Sequence, residues 1–540
     1  MRRIWIVVGL IVTAVAGAAA YQRGANWKEF HFPGSRLMVD LAHPDALIRT
    51  ASLSALPRDL LKAPIARDVL TEDLLFYYEQ NEDRLGINGA IKRIAYEHKL
   101  EWTDRILGSV LDEPAEVGMW RDGKGALRHY AIVMRRNAMS KVLQEAATVA
   151  LKDSQLTQAG EIDTPSGKAA VMALEINPRR TLLLVAHGDR LIVLSDPGLL
   201  FDRDNKMLAA AQAAVASWLE QDGVLSKQFA LDDIQPESPA TSPVQATHTL
   251  VIGAPTLSLG YGAFLPGFKG LRFDYTQAWS TSVWLDRKTL PPRGMGDSAL
   301  WQATPANPSA CVVLPVDWHA TQQVVAGATN KPPLSNATAL NALGGTAMAC
   351  WYSESTLYSP VFIARLANGL PDRNATLQTL ASWALARKGT VSAENKTILS
   401  SLFKGKDDLM VWRGVAVKDA ATPAVGARGA YVVFSPDGTL VDLALATIAH
   451  TNPSVADQMP VSDATLALIT PQRLSGMMER EALAALSGPG DASMLAVAQT
   501  HLPPHMKALA AYPPYRLDAV GGNMQNAWQR VQWRSPEQGK

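Results

Sequence analysis

A chain of 540 residues has room for roughly two to four domains, and 47% hydrophobic with 19% charged residues is the balance of a chain that buries ordinary cores. Its 51 Lys and Arg against 50 Asp and Glu leave a formal net charge of +1, and no basic stripe interleaved with aromatics occurs, which argues against nucleic acid as a partner.

Two arginines open the chain ahead of an uncharged run from Ile4 to Ala20, followed by Gln22 and Arg23. At about 1.5 Å per residue against roughly 30 Å of hydrocarbon, this run sits at the short end of a membrane-spanning helix. Ala18 and Ala20 also make an A-x-A site for a signal peptidase. The expectation is a transmembrane anchor or signal segment over 1–25, a buried helix being the bland alternative. Anchor and signal both export the body of the chain.

The stretch "ASLSALPRDLL" (51–61) reads as a strand handing over to a helix, with Pro57 in the first helical turn where a missing N–H costs little. It recurs as "ACVVLPVDWHA" (310–320), with Pro315, and as "ATLALITPQRL" (464–474). After the first copy come a long helical stretch (70–111), a hairpin at 115–137 turning at Asp122-Gly123, and a helix at 139–153. Three strands follow over 169–196, separated by Asn-Pro and Gly-Asp turns, the latter at His187-Gly188-Asp189. The second half repeats this order: a hairpin at 346–368, with Trp351 matching Trp120 and Ile363 matching Ile132, a helix at 375–387, and strands turning at Pro436-Asp437-Gly438. Turns this short demand antiparallel pairing. The expected fold class is α+β: an N-terminal membrane helix followed by repeated modules of antiparallel sheet packed with helices. The boundaries are a first module at 26–231, a Pro-rich linker at 232–248, a second module at 249–460 and a shorter C-terminal module at 461–540.

Cys311 and Cys350 fall on two strand readings, and an exported setting would let them form a disulfide, two buried thiols being the alternative. The segment after the linker is aromatic and β-prone. Tyr261, Phe264, Phe268, Phe273, Tyr275, Trp279 and Trp284 are the candidate partner surface, against an ordinary sheet core.

Catalytic signatures are weak. Ser401-Leu402-Phe403-Lys404 fits S-x-x-K but lacks the companion S-D-N and K-T-G motifs. In "HLPPH" two prolines separate His501 from His505 and the glutamate of H-E-x-x-H is missing. No nucleophile elbow, Walker loop or dinucleotide fingerprint occurs, so no catalytic residue, cofactor or metal ligand is named.

At "FYYEQNEDRLGINGAIKRIAYEHKLEWTDRIL" (76–107), together with the N-terminal run and the paired tryptophan-bearing strands, the chain resembles a family of bacterial envelope proteins often encoded near bacterial alpha-2-macroglobulins. That resemblance implies a single-pass inner-membrane protein with its body in the periplasm, or a soluble periplasmic protein if the signal is cleaved. It supplies no catalytic residues. The expected function is a non-catalytic scaffold or partner-docking factor, the partner an envelope protein such as an alpha-2-macroglobulin-like protease trap. An exported hydrolase acting on cell wall or peptides is the alternative, and a small apolar ligand between sheet and helices is a third reading.

Overall fold

The computed structural model describes residues 39–63, 113–122, 125–135, 156–177, 180–234, 245–257, 267–286, 296–322, 340–385, 403–404, 408–414, 421–485, 492–520 and 526–535, less a few single positions within them. The chain divides into two compact units, Met1–Thr256 with Leu271–Ser280, and Leu257–Gly270 with Thr281–Lys540.

In the first unit, β1 (Ala46–Thr50) runs into the helix α1 (Ala55–Leu60), followed by the hairpin β2 (Ala115–Arg121) and β3 (Leu127–Arg135). A meander follows: β4 (Leu156–Thr164), β5 (Gly167–Asn177), β6 (Arg180–His187) and β7 (Arg190–Leu194). Then come α2 (Ala209–Glu220), β8 (His248–Gly253), and most of the short α3 (Ala254–Leu257) and of β9 (Phe268–Tyr275). Hydrogen bonding orders the strands β4-β5-β6-β7-β3-β2-β1-β8, every pair antiparallel.

The second unit takes in most of β10 (Trp279–Leu285), then α4 (Ser298–Ala303), β11 (Ala310–Pro315), β12 (Leu343–Trp351), β13 (Val361–Leu366) and α5 (Arg373–Leu385). Its meander is β14 (Phe403–Lys404), β15 (Met410–Arg413), β16 (Ala424–Arg428) and β17 (Tyr431–Ser435). The rest is α6 (Gly438–Ile448), α7 (Val455–Gln458), β18 (Thr465–Ile469), α8 (Pro471–Ala485), α9 (Ala492–Ala510), β19 (Tyr515–Ala519) and β20 (Trp528–Arg534). Its order is β14-β15-β16-β17-β13-β12-β11-β18-β19-β20-β10, again antiparallel throughout. From β14 to β18 this repeats, strand for strand, the order from β4 to β8.

The register fixes which residues correspond. Ala46 faces Met119 on one side and Ile252 on the other; Ala310 faces Trp351 and Ile469. Setting Ala46 on Ala310 puts Gly118 on Cys350 and Trp120 on Tyr352. Trp120 and Tyr352 do the same job, since Trp120 Nε1 donates to the Asp40 carbonyl at 2.8 Å and Tyr352 Oη to the Pro305 carbonyl at 2.9 Å. The expected match of Trp120 with Trp351 is therefore one residue out, and on a strand one residue is the opposite face. Trp120 is buried against Trp218 of α2, whereas Trp351 is half-buried.

Cys311 and Cys350 lie directly opposite on β11 and β12, with Cα atoms 4.1 Å apart, and are joined as a disulfide. The bond is part of a core with Leu300, Trp301, Val313, Ile363, Val433, Val441 and Leu445, beneath α4 and α6. On the other face α5 places Leu377, Leu380 and Ala381 against Met410, Trp412, Val425 and Ala427. Burial on both faces explains the near-continuous apolar runs of β16 and β17.

The sheet overturns the expected class of an N-terminal membrane helix followed by α+β modules. In each unit antiparallel sheet dominates and the helices serve as covers, because the meander strands join one continuous ladder. No helix among the described residues is long and apolar enough to cross a membrane. Residues 1–25 lie outside the described ones, as do the helices expected at 70–111 and 139–153. Pro436-Asp437-Gly438 does not turn a hairpin. Asp437 caps α6, its carboxylate accepting the Thr439 N–H at 2.9 Å, and Leu440, Val441, Ala444 and Leu445 follow at helical spacing into the core. Asp196 caps the corresponding turn after β7, accepting the Gly198 N–H at 2.7 Å. "HLPPH" lies within α9, prolines included.

Candidate functional site

The candidate site is a hydrogen-bonded node beneath the aromatic hairpin that leaves β9. The sequence "RTAS" brings β1 to an end at Thr50, and α1 then returns Asp59 over it. β8 opens on His248, which pairs with Thr50 across the ladder. His248 Nε2 lies 3.0 Å from Asp59 Oδ2, and its Nδ1 lies 2.7 Å from Thr50 Oγ1. Lys62 Nζ lies 2.8 Å from Asp59 Oδ1, donates to Tyr275 Oη at 2.5 Å and sits 5.0 Å from the centre of the Tyr275 ring. The His248 ring stacks on Tyr275 at 5.7 Å and on Trp279 at 6.5 Å, and Trp279 Nε1 donates to the Asp59 carbonyl at 2.8 Å.

Burial works against the charge on Asp59, but hydrogen bonds from Lys62 and His248 outweigh it and hold the carboxyl below its ordinary value. Hydrogen bonds from Lys62 to Asp59 and Tyr275 raise the ammonium correspondingly. Since an ionised carboxylate only accepts, His248 Nε2 carries a proton and donates it to Asp59. Thr50 Oγ1 donates to the Ser52 carbonyl at 2.7 Å and lies at the same distance from His248 Nδ1.

Hydroxyl, imidazole and carboxylate in line have the connectivity of an acyl-transfer triad. Exposure decides against that use here: Thr50 is 3% exposed and His248 0%, so a substrate carbonyl cannot reach the hydroxyl. The node instead fastens α1 to β1 and β8. It leaves Trp279 half-buried, and at the surface the Lys62 side chain and the hairpin tip Thr276, Gln277 and Ala278.

A second network occurs in both units. Arg272 Nε pairs with Asp274 Oδ2 at 2.7 Å, and Asp274 Oδ1 accepts from Thr249 Oγ1 at 2.7 Å. Arg516 Nε pairs with Asp518 Oδ2 at 2.9 Å, and Asp518 Oδ1 accepts from Thr465 Oγ1 at 2.9 Å. Each Arg-x-Asp strand is followed by Ala-Trp and a second Trp five residues on, Trp279 with Trp284 and Trp528 with Trp533. This recurrence is present in the sequence itself.

Of the residues expected at a partner surface, Tyr261 and Phe264 lie outside the described residues. Phe268 and Tyr275 are buried at 8% and 4% exposure, while Phe273, Trp279 and Trp284 are half-buried. Trp284 packs on Trp528 at 5.4 Å. These rings therefore pack internally and are at most half-exposed. Ser401 lies outside the described residues, and His187-Gly188-Asp189 forms the β6–β7 turn with Gly188 at φ +56°. Among the described residues no group of three or more His, Cys, Asp or Glu could hold a metal ion.

Residues 5–396 and 416–535 match a family described as "Uncharacterized protein conserved in bacteria (DUF2138)". The chain is 30% identical over 518 residues to the "Uncharacterized protein YfaA" of Escherichia coli strain K12, covering 92% of this chain and 90% of that protein. Among solved structures, crystal form III of TP0453 shows 10% identity over 47% of this chain and 81% of that one, at a TM-score of 0.20 that carries no argument about the fold. With nearly the whole length matched, the chain belongs to the DUF2138 family of bacterial proteins.

Proposed function

We propose that the chain is an exported, non-catalytic docking protein of the bacterial envelope, presenting the hairpin tip at Thr276–Ala278 and the half-buried Trp279 beside it to a protein partner. The observation that carries this reading is the anchoring of Trp279. Its indole is hydrogen-bonded through Nε1 to the Asp59 carbonyl, stacked on His248 and packed at a tilt on Tyr275, while the residue is only half-buried. An aromatic side chain held rigid before binding loses little entropy on association, which is the property of an interface anchor. Lys62, 53% exposed beside it, adds a positive charge. The Cys311–Cys350 bond supports an oxidising compartment and hence export. A large protease trap of the alpha-2-macroglobulin class is the partner suggested by the family resemblance.

The test is affinity purification of the full chain from the cell-envelope fraction after mild crosslinking, beside Trp279→Ala. A reproducible partner at fixed stoichiometry, lost in the folded variant, is the expected result. Recovery of the same partner by both chains would remove the hairpin from the account.

A further inference from the structure

The second unit carries more arginine than its sheet uses. Asp518 is the one acidic residue in β18, β19 and β20, and Arg516, Arg530 and Arg534 stand with it in those strands. The register sets Arg516 opposite Arg534 and Asp518 opposite Gln532. Side chains two residues apart on a strand share a face, so all three arginines lie on the face of Asp518. The carboxylate is 5% exposed and takes two of them by one atom: Oδ2 lies 2.9 Å from Arg516 Nε and 3.7 Å from Arg534 Nε. Held at Nε, each guanidinium keeps its two terminal nitrogens for another partner. Among the described residues those of Arg516 make no hydrogen bond, and Arg534 uses only Nη2, on Gln532 Oε1 at 3.3 Å.

The first unit shows that the network does not need this surplus. There Asp274 pairs with Arg272 alone, which is 5% exposed and spends Nη1 on the Leu231 carbonyl at 2.5 Å. β10, which carries the matching pair of tryptophans, has Thr281, Val283 and Leu285 at the places of Arg530, Gln532 and Arg534. The side chains of Arg516 and Arg534 are instead 19% and 50% exposed, open to a solute.

We propose that the Arg516–Arg534 pair is a binding site for a phosphate group. Two neighbouring guanidinium forks present paired donors, the geometry in which arginine takes the oxygens of an oxyanion two at a time. A carboxylate has two oxygens and is satisfied by one fork, whereas a phosphate has enough to engage both. Three arginines against one carboxylate leave the face positive, which favours a dianion over a monoanion. Asp518, fixed in turn by the Thr465 hydroxyl, orders the forks before binding and so lowers the entropy lost on association.

Inorganic phosphate is the probe, titrated calorimetrically into the full chain at low ionic strength, with acetate as the carboxylate control. One saturable equivalent of phosphate is expected, with acetate at least about tenfold weaker. Arg534→Leu, which installs the residue that β10 has at that place, should lower phosphate affinity at least about tenfold. Arg516→Lys keeps the charge beside Asp518 but removes the fork, and should do the same. Arg203→Gln, which removes an exposed charge from the other unit, should leave affinity within about twofold. Urea midpoints check that each variant is folded. Sedimentation with phosphatidylcholine vesicles separates the sources of the phosphate. Pelleting that requires added phosphatidic acid and is lost in Arg534→Leu assigns a lipid headgroup, and phosphate binding without it assigns a soluble phosphate compound. No saturable phosphate binding, acetate binding as tightly, or equal affinity in folded Arg534→Leu would overturn the site.

Discussion

Asp59→Ala removes the centre of the buried node, and its cost can be worked from the contacts. His248 is fully buried and would keep an Nε2–H with no acceptor, a penalty of about 1–3 kcal/mol. The pairing with half-exposed Lys62 is screened by solvent and adds little. The expected loss at pH 7 is therefore about 1–3 kcal/mol, read as a lower urea midpoint for the tryptophan fluorescence transition. The pH dependence follows from the same geometry. Asp59 has its carboxyl lowered in the folded chain, so its contribution is present above the ordinary carboxylate value and is lost as pH falls through the folded one. The gap between wild type and Asp59→Ala should narrow below about pH 4. A difference under about 0.5 kcal/mol at pH 7, or a gap independent of pH down to acid unfolding, would refute the assignment.

Three other substitutions probe the fold. Replacing Cys311 and Cys350 together by Ala opens a loop whose ends are 39 residues apart, for an expected loss of about 4 kcal/mol on the chain-entropy estimate, measured by chemical denaturation. Gly426→Ala would drive a methyl to 2.5 Å from Leu445 Cδ1 and 2.9 Å from Val441 Cγ1, which should lower stability by about 1–3 kcal/mol and leave the far-ultraviolet spectrum unchanged. Asp437→Ala removes the cap of α6 and should cost about 1 kcal/mol in the same assay, with Asp437→Asn recovering most of it.

The hairpins β2–β3, β6–β7 and β12–β13 were legible because period-two apolar patterns end at short turn signals, which constrain pairing locally. Where local signals compete, the reading failed. Pro436-Asp437-Gly438 carries the residues of a hairpin turn and of a helix start alike, and only the buried face of α6 settles which applies. The mismatch of Trp120 with Trp351 came from matching residue types, whereas partners across the ladder assign Tyr352 to that place. The node could not be read at all. Asp59 and His248 are 189 residues apart, and neither position carries a motif. The Arg-x-Asp strands were visible, but pairing each Asp with Thr249 or Thr465 depends on strand neighbours that sequence spacing does not reveal.

The most direct test of the docking account places a photo-crosslinking residue at exposed Gln277 on the hairpin tip, with exposed Arg203 of the same unit as control. Irradiating cells and identifying the adducts by mass spectrometry should give a reproducible protein adduct from position 277 and none from position 203. Position 277 giving no adduct, or the two positions giving the same set, would contradict it.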